Sequence, residues 1–300
     1  MKNLIDFLNL QNIDFEENVS GARLCSFRVG GNVRLVVKPF NLPQIEILYN
    51  YLNANKIKNI LLGRGSNIVI SDDGYDGVVV SLSKLDGITV DGWNFDLVSA
   101  GTSMLTLATT AQKHGLTGLE FAHGIPGSIG GAIYMNAGAY GGEMSQVVKQ
   151  VVCYDKEKGK MVDFDASECK FSYRHSIFQE NKNLIILFAK IELVGGNPEE
   201  IRAKMDVLRA ARVEKQPLEY PNAGSAFKRP EGYFPGKLIE DAGLKGYTVG
   251  GAQVSEKHAG FIVNRGGATA NDIKQLVKYI QKEVREKFGV SLECEIEFVE

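Results

Sequence analysis

Residues 124–142, GIPGSIGGAIYMNAGAYGG, hold seven glycines in nineteen positions, a density that lets a ligand approach the backbone closely. Ile125, Ile129, Ile133, Tyr134 and Met135 stand between them, so the segment is expected to be buried rather than to run as a polar surface loop. Buried N–H groups need acceptors, and a phosphate suits a glycine-rich turn. Tight packing of small residues between elements is the bland reading of the same pattern. A second segment, GRGSN at residues 63–67, has the same character. Together the two could grip a pyrophosphate from two sides, through main-chain N–H groups and the hydroxyls of Ser66 and Ser128.

Three further residues have types that suit an anionic, reacting substrate. Arg174, between Tyr173 and His175 in FSYRHSIF, offers a five-donor fork that matches a carboxylate or an enolate. Ser225 lies in NAGSAFKRP beside Asn222 and Gly224, and Glu295 lies in the terminal LECEIEFV. Each also has an ordinary reading, as a solvated arginine, a turn serine and a water-facing carboxylate. Lys228, Arg229, Lys237 and Lys245 cluster in sequence and could hold a diphosphate or be plain surface charges.

Other chemistries lack their motifs. Neither glycine segment fits G-x-G-x-x-G in a βαβ unit, and no G-x-x-x-x-G-K-[ST] occurs, which disfavours a Rossmann dehydrogenase and a P-loop ATPase. No G-x-S-x-G elbow is present. His114, His123, His175 and His258 have no ligand spacing, and Cys25, Cys153, Cys169 and Cys294 form no CxxC pair. No metal site is expected, and the thiols are expected to be reduced.

The elements that must position these residues read as α+β. The pattern predicts a helix over 2–10, a strand over 33–37, a helix capped by Asn41, and strands over 59–62 and 77–82. Two alternating strands follow within 85–100, then a helix that Thr102 can cap and Gly115 can end. Strands over 147–154 and 184–193 frame the Arg174 segment. Pro198 and the acidic turn after it predict a helix that crosses into a third region. A long helix over 271–288 buries Ile273, Leu276, Val277, Ile280, Val284 and Phe288, and a terminal strand puts Leu292, Cys294, Ile296 and Phe298 on one face.

With 300 residues, 44% hydrophobic and 23% charged, the chain can build large cores. A net charge of −2 gives no long-range pull toward nucleic acid. No run reaches membrane-span length and the amino terminus is too short and polar for a secretory signal, so a cytoplasmic protein without membrane insertion is expected.

FRVGGNV (27–33), LGRGSNIVISDDGYDGVVV (62–80), EFAHGIPGSIGGAIYMNAGAYGGE (120–143), FSYRHSIF (171–178), NAGSAFKRP (222–230), PGKLIEDAGLKG (235–246) and LECEIEFV (292–299) occur in this order along nearly the whole chain. In that combination the sequence closely resembles the UDP-N-acetylenolpyruvoylglucosamine reductase family. The resemblance implies an α+β chain of three domains: an FAD-binding fold of the vanillyl-alcohol-oxidase (PCMH) type in two parts, 1–83 with the terminal strand 291–300 and 84–197, and a C-terminal substrate domain, 198–290. It implies non-covalent FAD on Gly63, Arg64, Gly65, Ser66 and Asn67 of the first glycine segment. From the second it implies Gly124, Ile125, Pro126, Gly127, Ser128, Gly130, Gly131, Asn136 and Gly138. NADPH would be the hydride donor, and Tyr140, Lys228, Arg229 and Lys237 would contact the UDP-sugar enolpyruvate.

The resemblance also gives the three ambiguous residues roles. Hydride from flavin N5 reaches C3, Ser225 delivers a proton to C2, and Arg174 with a protonated Glu295 steadies the charge that develops. The short link 193–198 has no room for the tyrosine-bearing insert of one branch of the family, so the chain resembles the shorter branch and that tyrosine's substrate contact has no counterpart here. A monomer is expected. Another FAD oxidoreductase of the same fold, or a flavin-binding module without catalysis, are the alternatives, and the presence of Arg174, Ser225 and Glu295 together argues against the second.

Overall fold

Asn41 starts the helix Leu42–Ala54: its Oδ1 accepts from Gln44 N at 2.9 Å, and Pro43 occupies the first turn, where no N–H is needed. Ile45, Leu48, Tyr49 and Leu52 follow at helical spacing, all buried. They pack with Leu4 and Leu8 of the helix Lys2–Leu10 against Leu35, Val37, Val78 and Val80. Those valines belong to a four-stranded sheet of order Asp14–Ser20, Asn32–Lys38, Tyr75–Ser81, Asn59–Leu62. The computed structural model describes residues 1–92 and 94–300.

The chain divides into two units. The first comprises Met1–Glu16, Leu35–Arg64 and Gly77–Ala210. Beside the sheet above it holds a five-stranded antiparallel sheet of order Lys160–Asp165, Val148–Asp155, Leu184–Glu192, Asn94–Ser99, Ile88–Asp91. Leu107 and Ala108 of the helix Met104–Lys113 join the same core as Ile129 and Ile133 of the short helix Ile129–Tyr134. The helix Pro198–Lys215 begins as predicted, with Glu199 and Glu200 in its first turn, and contributes Ile201 and Met205 to this core.

The second unit comprises Glu17–Arg34, Gly65–Asp76 and Ala211–Glu300. Its centre is the helix Ala270–Phe288, started by a capping box between Thr269 and Asp272 and ended at Gly289, whose φ is +70°. Ile273, Leu276, Val277, Ile280 and Val284 of that helix pack with Phe27, Phe227 and Ile239. A three-stranded antiparallel sheet, Thr248–Val249, Ala252–Val254 and Ile262–Asn264, lies in this unit, and Glu297–Val299 pairs in parallel with Ile68–Ile70. Among the described residues, no helix is long and apolar enough to cross a membrane.

Several expectations need correction. Ser103, not Thr102, caps the helix Met104–Lys113, accepting from Thr106 N at 2.9 Å. Thr102 instead donates to Asp86 at 2.6 Å and accepts from Gly87 N, which ties the preceding turn down. Phe288 is 39% exposed, since the helix ends there and its last turn passes beyond the core. The terminal strand is confined to Glu297–Val299; before it, only a bridge between Cys294 and Phe227 is formed. Asp14–Ser20, Ile68–Ile70 and Lys160–Asp165 are strands that the pattern did not reveal.

Candidate active site

In the first unit, Gly63 of one glycine segment meets Ser128 of the other. The strand Asn59–Leu62 ends at Gly63, where an added Cβ would lie 2.8 Å from Ser128 Oγ and 3.9 Å from Gly131 Cα. Ser128 is the N-cap of Ile129–Tyr134. Its neighbours are fastened to the chain before the helix Met104–Lys113: Met104 N donates to Gly127 O at 3.1 Å, Ile129 N to Thr102 O and Gly130 N to Ala100 O at 2.9 Å. Ile129 and Ile133 are fully buried, whereas Ile125, Tyr134 and Met135 are only half-buried and Gly131 is exposed. The segment is therefore a rim rather than an interior loop. Among the described residues, the N–H groups of Arg64, Gly127 and Ser128 donate to no protein acceptor. Pro126 has no N–H and brings a fixed φ instead.

Not every glycine here serves ligand access. A Cβ at Gly138 would lie 2.5 Å from Gly142 O, and one at Gly142 would lie 2.4 Å from the Phe121 ring, so both are dictated by packing. In the second unit, Gly65 has φ +64° and a Cβ there would lie 1.8 Å from Leu24 O. Its carbonyl accepts from Ser26 N at 2.9 Å, while Ser26 Oγ is enclosed without a hydrogen-bond partner. Nothing in the sequence pattern pointed to Ser26.

Arg174 sits in a tight turn closed by Ser172 and His175, with φ +55°. Its Nη2 donates to Gly138 O at 2.8 Å, and its guanidinium lies 5.2 Å from the centre of the Tyr173 ring. Asn136, fully buried and also at positive φ, donates through Nδ2 to Ser172 O and accepts at Oδ1 from Ser145 N, both at 2.9 Å. The tail of the glycine segment thus faces the Arg174 turn. Tyr140 lies in the hairpin beyond it, 47% exposed and at positive φ.

In the second unit, Asn222 Oδ1 accepts from Gly224 N at 2.9 Å, a side-chain turn that leads into Ser225. Ser225 bridges to Phe261 and its Oγ donates to Phe227 O at 3.2 Å. The residue after it, Ala226, accepts from Glu295 N at 2.9 Å, and Lys228 N donates to Glu293 O. Residues 225–228 and 293–295 therefore run side by side and bring Ser225 and Glu295 onto neighbouring segments. Asn67 secures the arrangement: Nδ2 donates to Glu295 O at 2.8 Å, and its carbonyl accepts from Glu297 N.

His258 is a neighbour that sequence reasoning set aside. Its Nδ1 accepts from Gly260 N at 3.0 Å, and Gly260 O accepts from Ala226 N. The neutral ring therefore carries its proton on Nε2. Burial, then the charge of Lys245, holds the imidazole pKa below its ordinary value.

Each of the basic side chains has a partner of its own. Lys228 pairs with Glu293 at 2.7 Å, Lys237 with Asp241 at 2.5 Å and Lys245 with Glu240 at 3.1 Å. The Arg229 guanidinium lies over the Phe234 ring at 4.6 Å. Among the described residues, no group of three or more His, Cys, Asp or Glu could hold a metal ion.

Known proteins resemble both parts of the chain. Residues 33–165 match a family model described as an FAD binding domain, and residues 216–299 match the model of the UDP-N-acetylenolpyruvoylglucosamine reductase C-terminal domain. A UDP-N-acetylenolpyruvoylglucosamine reductase from Caldanaerobacter subterraneus subsp. tengcongensis is 52% identical over 92% of this chain and 91% of its own length. One from Clostridium novyi is 46% identical over 95% and 92%. The crystal structure of the Thermus caldophilus UDP-N-acetylenolpyruvylglucosamine reductase superposes with a TM-score of 0.81 at 31% identity, covering 96% of this chain and 99% of that one.

Proposed function

The chain belongs to the UDP-N-acetylenolpyruvoylglucosamine reductase family, and we propose from its own residues how it reduces UDP-N-acetylglucosamine enolpyruvate to UDP-N-acetylmuramate for peptidoglycan. The match of residues 33–165 to an FAD binding domain carries the cofactor assignment. The residues present fit that group. The N–H groups of Arg64, Gly127 and Ser128 are without protein acceptors, and Gly63 stands where a side chain would run into Ser128. Residues 63–67 and 124–131 would hold the FAD pyrophosphate through main-chain donors. Bound there, FAD would supply the hydride chemistry, with NADPH as the source of the hydride and C3 of the enolpyruvyl group as its destination.

The protein's part is to manage charge and one proton. As C3 gains hydride, negative charge builds at C2 and spreads into the carboxylate. Arg174 meets that charge with fixed N–H donors, and Glu295, in its acid form, is a further donor to it. Ser225 gives its hydroxyl proton to C2, which completes the CH–CH₃ unit; the hydroxyl is a weak acid, but an electron-rich C2 is a strong base. Its hydrogen bond to Phe227 O keeps Oγ from turning freely until substrate is present. The single observation behind this division is the pairing of residues 226–228 with 293–295, which ties Glu295 to Ala226, the residue next to Ser225.

Lys228, Arg229, Lys237 and Tyr140 contact the nucleotide sugar in this reading, and each lysine would first leave its present carboxylate partner. Residues 1–83 with 291–300 and 84–197 serve the cofactor, and 198–290 serve the substrate. UDP-sugar and NADPH as reactants fit a cytoplasmic enzyme, and a monomer is part of the same proposal. Ser225→Ala separates the roles: NADPH should still bleach the flavin, while reoxidation by substrate should slow by roughly 10². Equal slowing of both steps would remove Ser225 as the proton donor.

A further inference from the structure

We propose that Asn136 and Gln179 are positioning residues for Arg174, holding its turn through the tail of the glycine segment. The inference rests on the reading in which Arg174 acts on the substrate. Arg174 is not a glycine, yet its φ of +55° lies in the left-handed region, a conformation that persists only where surrounding bonds impose it.

The imposing bonds come from alternate residues of one short stretch. Tyr134 O accepts from Gln179 Nε2 at 2.8 Å and from Ser176 Oγ at 2.7 Å. Asn136 Nδ2 reaches Ser172 O, and Gly138 O receives Arg174 Nη2. Gln179 closes the loop, because the same Nε2 that donates to Tyr134 O also donates to Arg174 O at 3.1 Å. Its two amide hydrogens therefore join the carbonyl of the arginine to the end of the helix that Ser128 caps.

Asn136 is engaged at its main-chain N–H and at both side-chain polar atoms. Its N–H donates to Ile133 O, Oδ1 accepts from Ser145 N, Nδ2 donates to Ser172 O, and the residue is fully buried. The stretch from Tyr134 to Gly138 is thus the holder of Arg174, while residues 127–131 face the cofactor. One segment sets both distances, so the guanidinium is referenced to the cofactor cradle rather than to a mobile loop.

The test is a double-mutant cycle on the separated half-reactions of the FAD-loaded protein. Gln179→Ala should slow reoxidation by substrate about tenfold and leave reduction by NADPH within about twofold, as a misplaced group would. In an Arg174→Ala background the same change should add less than about twofold, because there is no guanidinium left to place. Calorimetric substrate affinity of the oxidised protein should follow the same pattern. Gln179→Glu, which keeps the size and removes both donors, and Asn136→Asp should behave alike and guard against a folding defect in one variant. Equal slowing in both backgrounds, or of both half-reactions, would overturn the inference. If Arg174→Ala alone leaves reoxidation unchanged, the role of Arg174 falls and this inference with it, an outcome recognisable without any change at Gln179.

Discussion

Arg174 Nη2 donates to the Gly138 carbonyl at 2.8 Å, so the arginine is held by the same segment whose earlier residues include Ser128. A lysine at position 174 could keep a charge but not one N–H on Gly138 and a planar fork toward substrate. Arg174→Lys is therefore expected to slow flavin reoxidation by substrate by roughly 10², with reduction by NADPH little changed. Stopped-flow measurement of each half-reaction checks this.

Gly63 and Gly65 should fail in different ways. A methyl at Gly63 meets only Ser128 Oγ at 2.8 Å, on an exposed rim, so Gly63→Ala should unfold at nearly the wild-type temperature yet retain FAD poorly. A methyl at Gly65 meets the Leu24 carbonyl at 1.8 Å from a residue with φ +64°. Gly65→Ala should cost more than about 1 kcal/mol of stability before any cofactor is added. Thermal unfolding of apo protein, set beside the flavin content after purification, separates the two.

Those glycines also mark how far the sequence could be read. Glycine density located the rim, but composition does not tell a glycine that admits a ligand from one, such as Gly142, that makes way for the Phe121 ring. The helices Leu42–Ala54 and Ala270–Phe288 were legible because capping residues and apolar spacing agree in them. Asp14–Ser20 and Lys160–Asp165 were not, because each is an edge strand with little burial and many charges. Thr102 and Ser103 are both good caps, and only the contact of Thr102 with Asp86 assigns the cap to Ser103. Arg174, Ser225 and Glu295 stand out in the sequence through motifs, whereas Gln179 does not, since its hydrogen bond depends on a carbonyl brought to it from residue 134.

The long helix gives a prediction independent of any ligand. Ile280 is fully buried in the second core, whereas Phe288 is 39% exposed. Ile280→Ala should cost about 2–5 kcal/mol in denaturant unfolding, as large-to-small core changes do. Phe288→Ala should cost well under half of that, although both lie on one apolar stripe in the sequence.

Acid sensitivity should involve His258. Its imidazole is held below the ordinary value of 6.5 by burial and then by Lys245, so the unfolded chain binds a proton that the folded one resists. Stability therefore rises with pH between the folded and unfolded values and is lost as pH falls below about 6.5. His123, lowered by burial and then by Arg202 and Arg209, adds in the same direction. His258→Gln should flatten part of the fall in melting temperature between roughly pH 7 and pH 5.5, and an unchanged slope would exclude His258 as a contributor.

The most direct test of the account is an anaerobic titration of the purified, FAD-loaded protein. NADPH should bleach the flavin, and the colour should return only when UDP-N-acetylglucosamine enolpyruvate is added, with one equivalent of UDP-N-acetylmuramate formed per flavin reoxidised. A protein that takes up no FAD, or whose reduced flavin is left unchanged by that substrate, would contradict it.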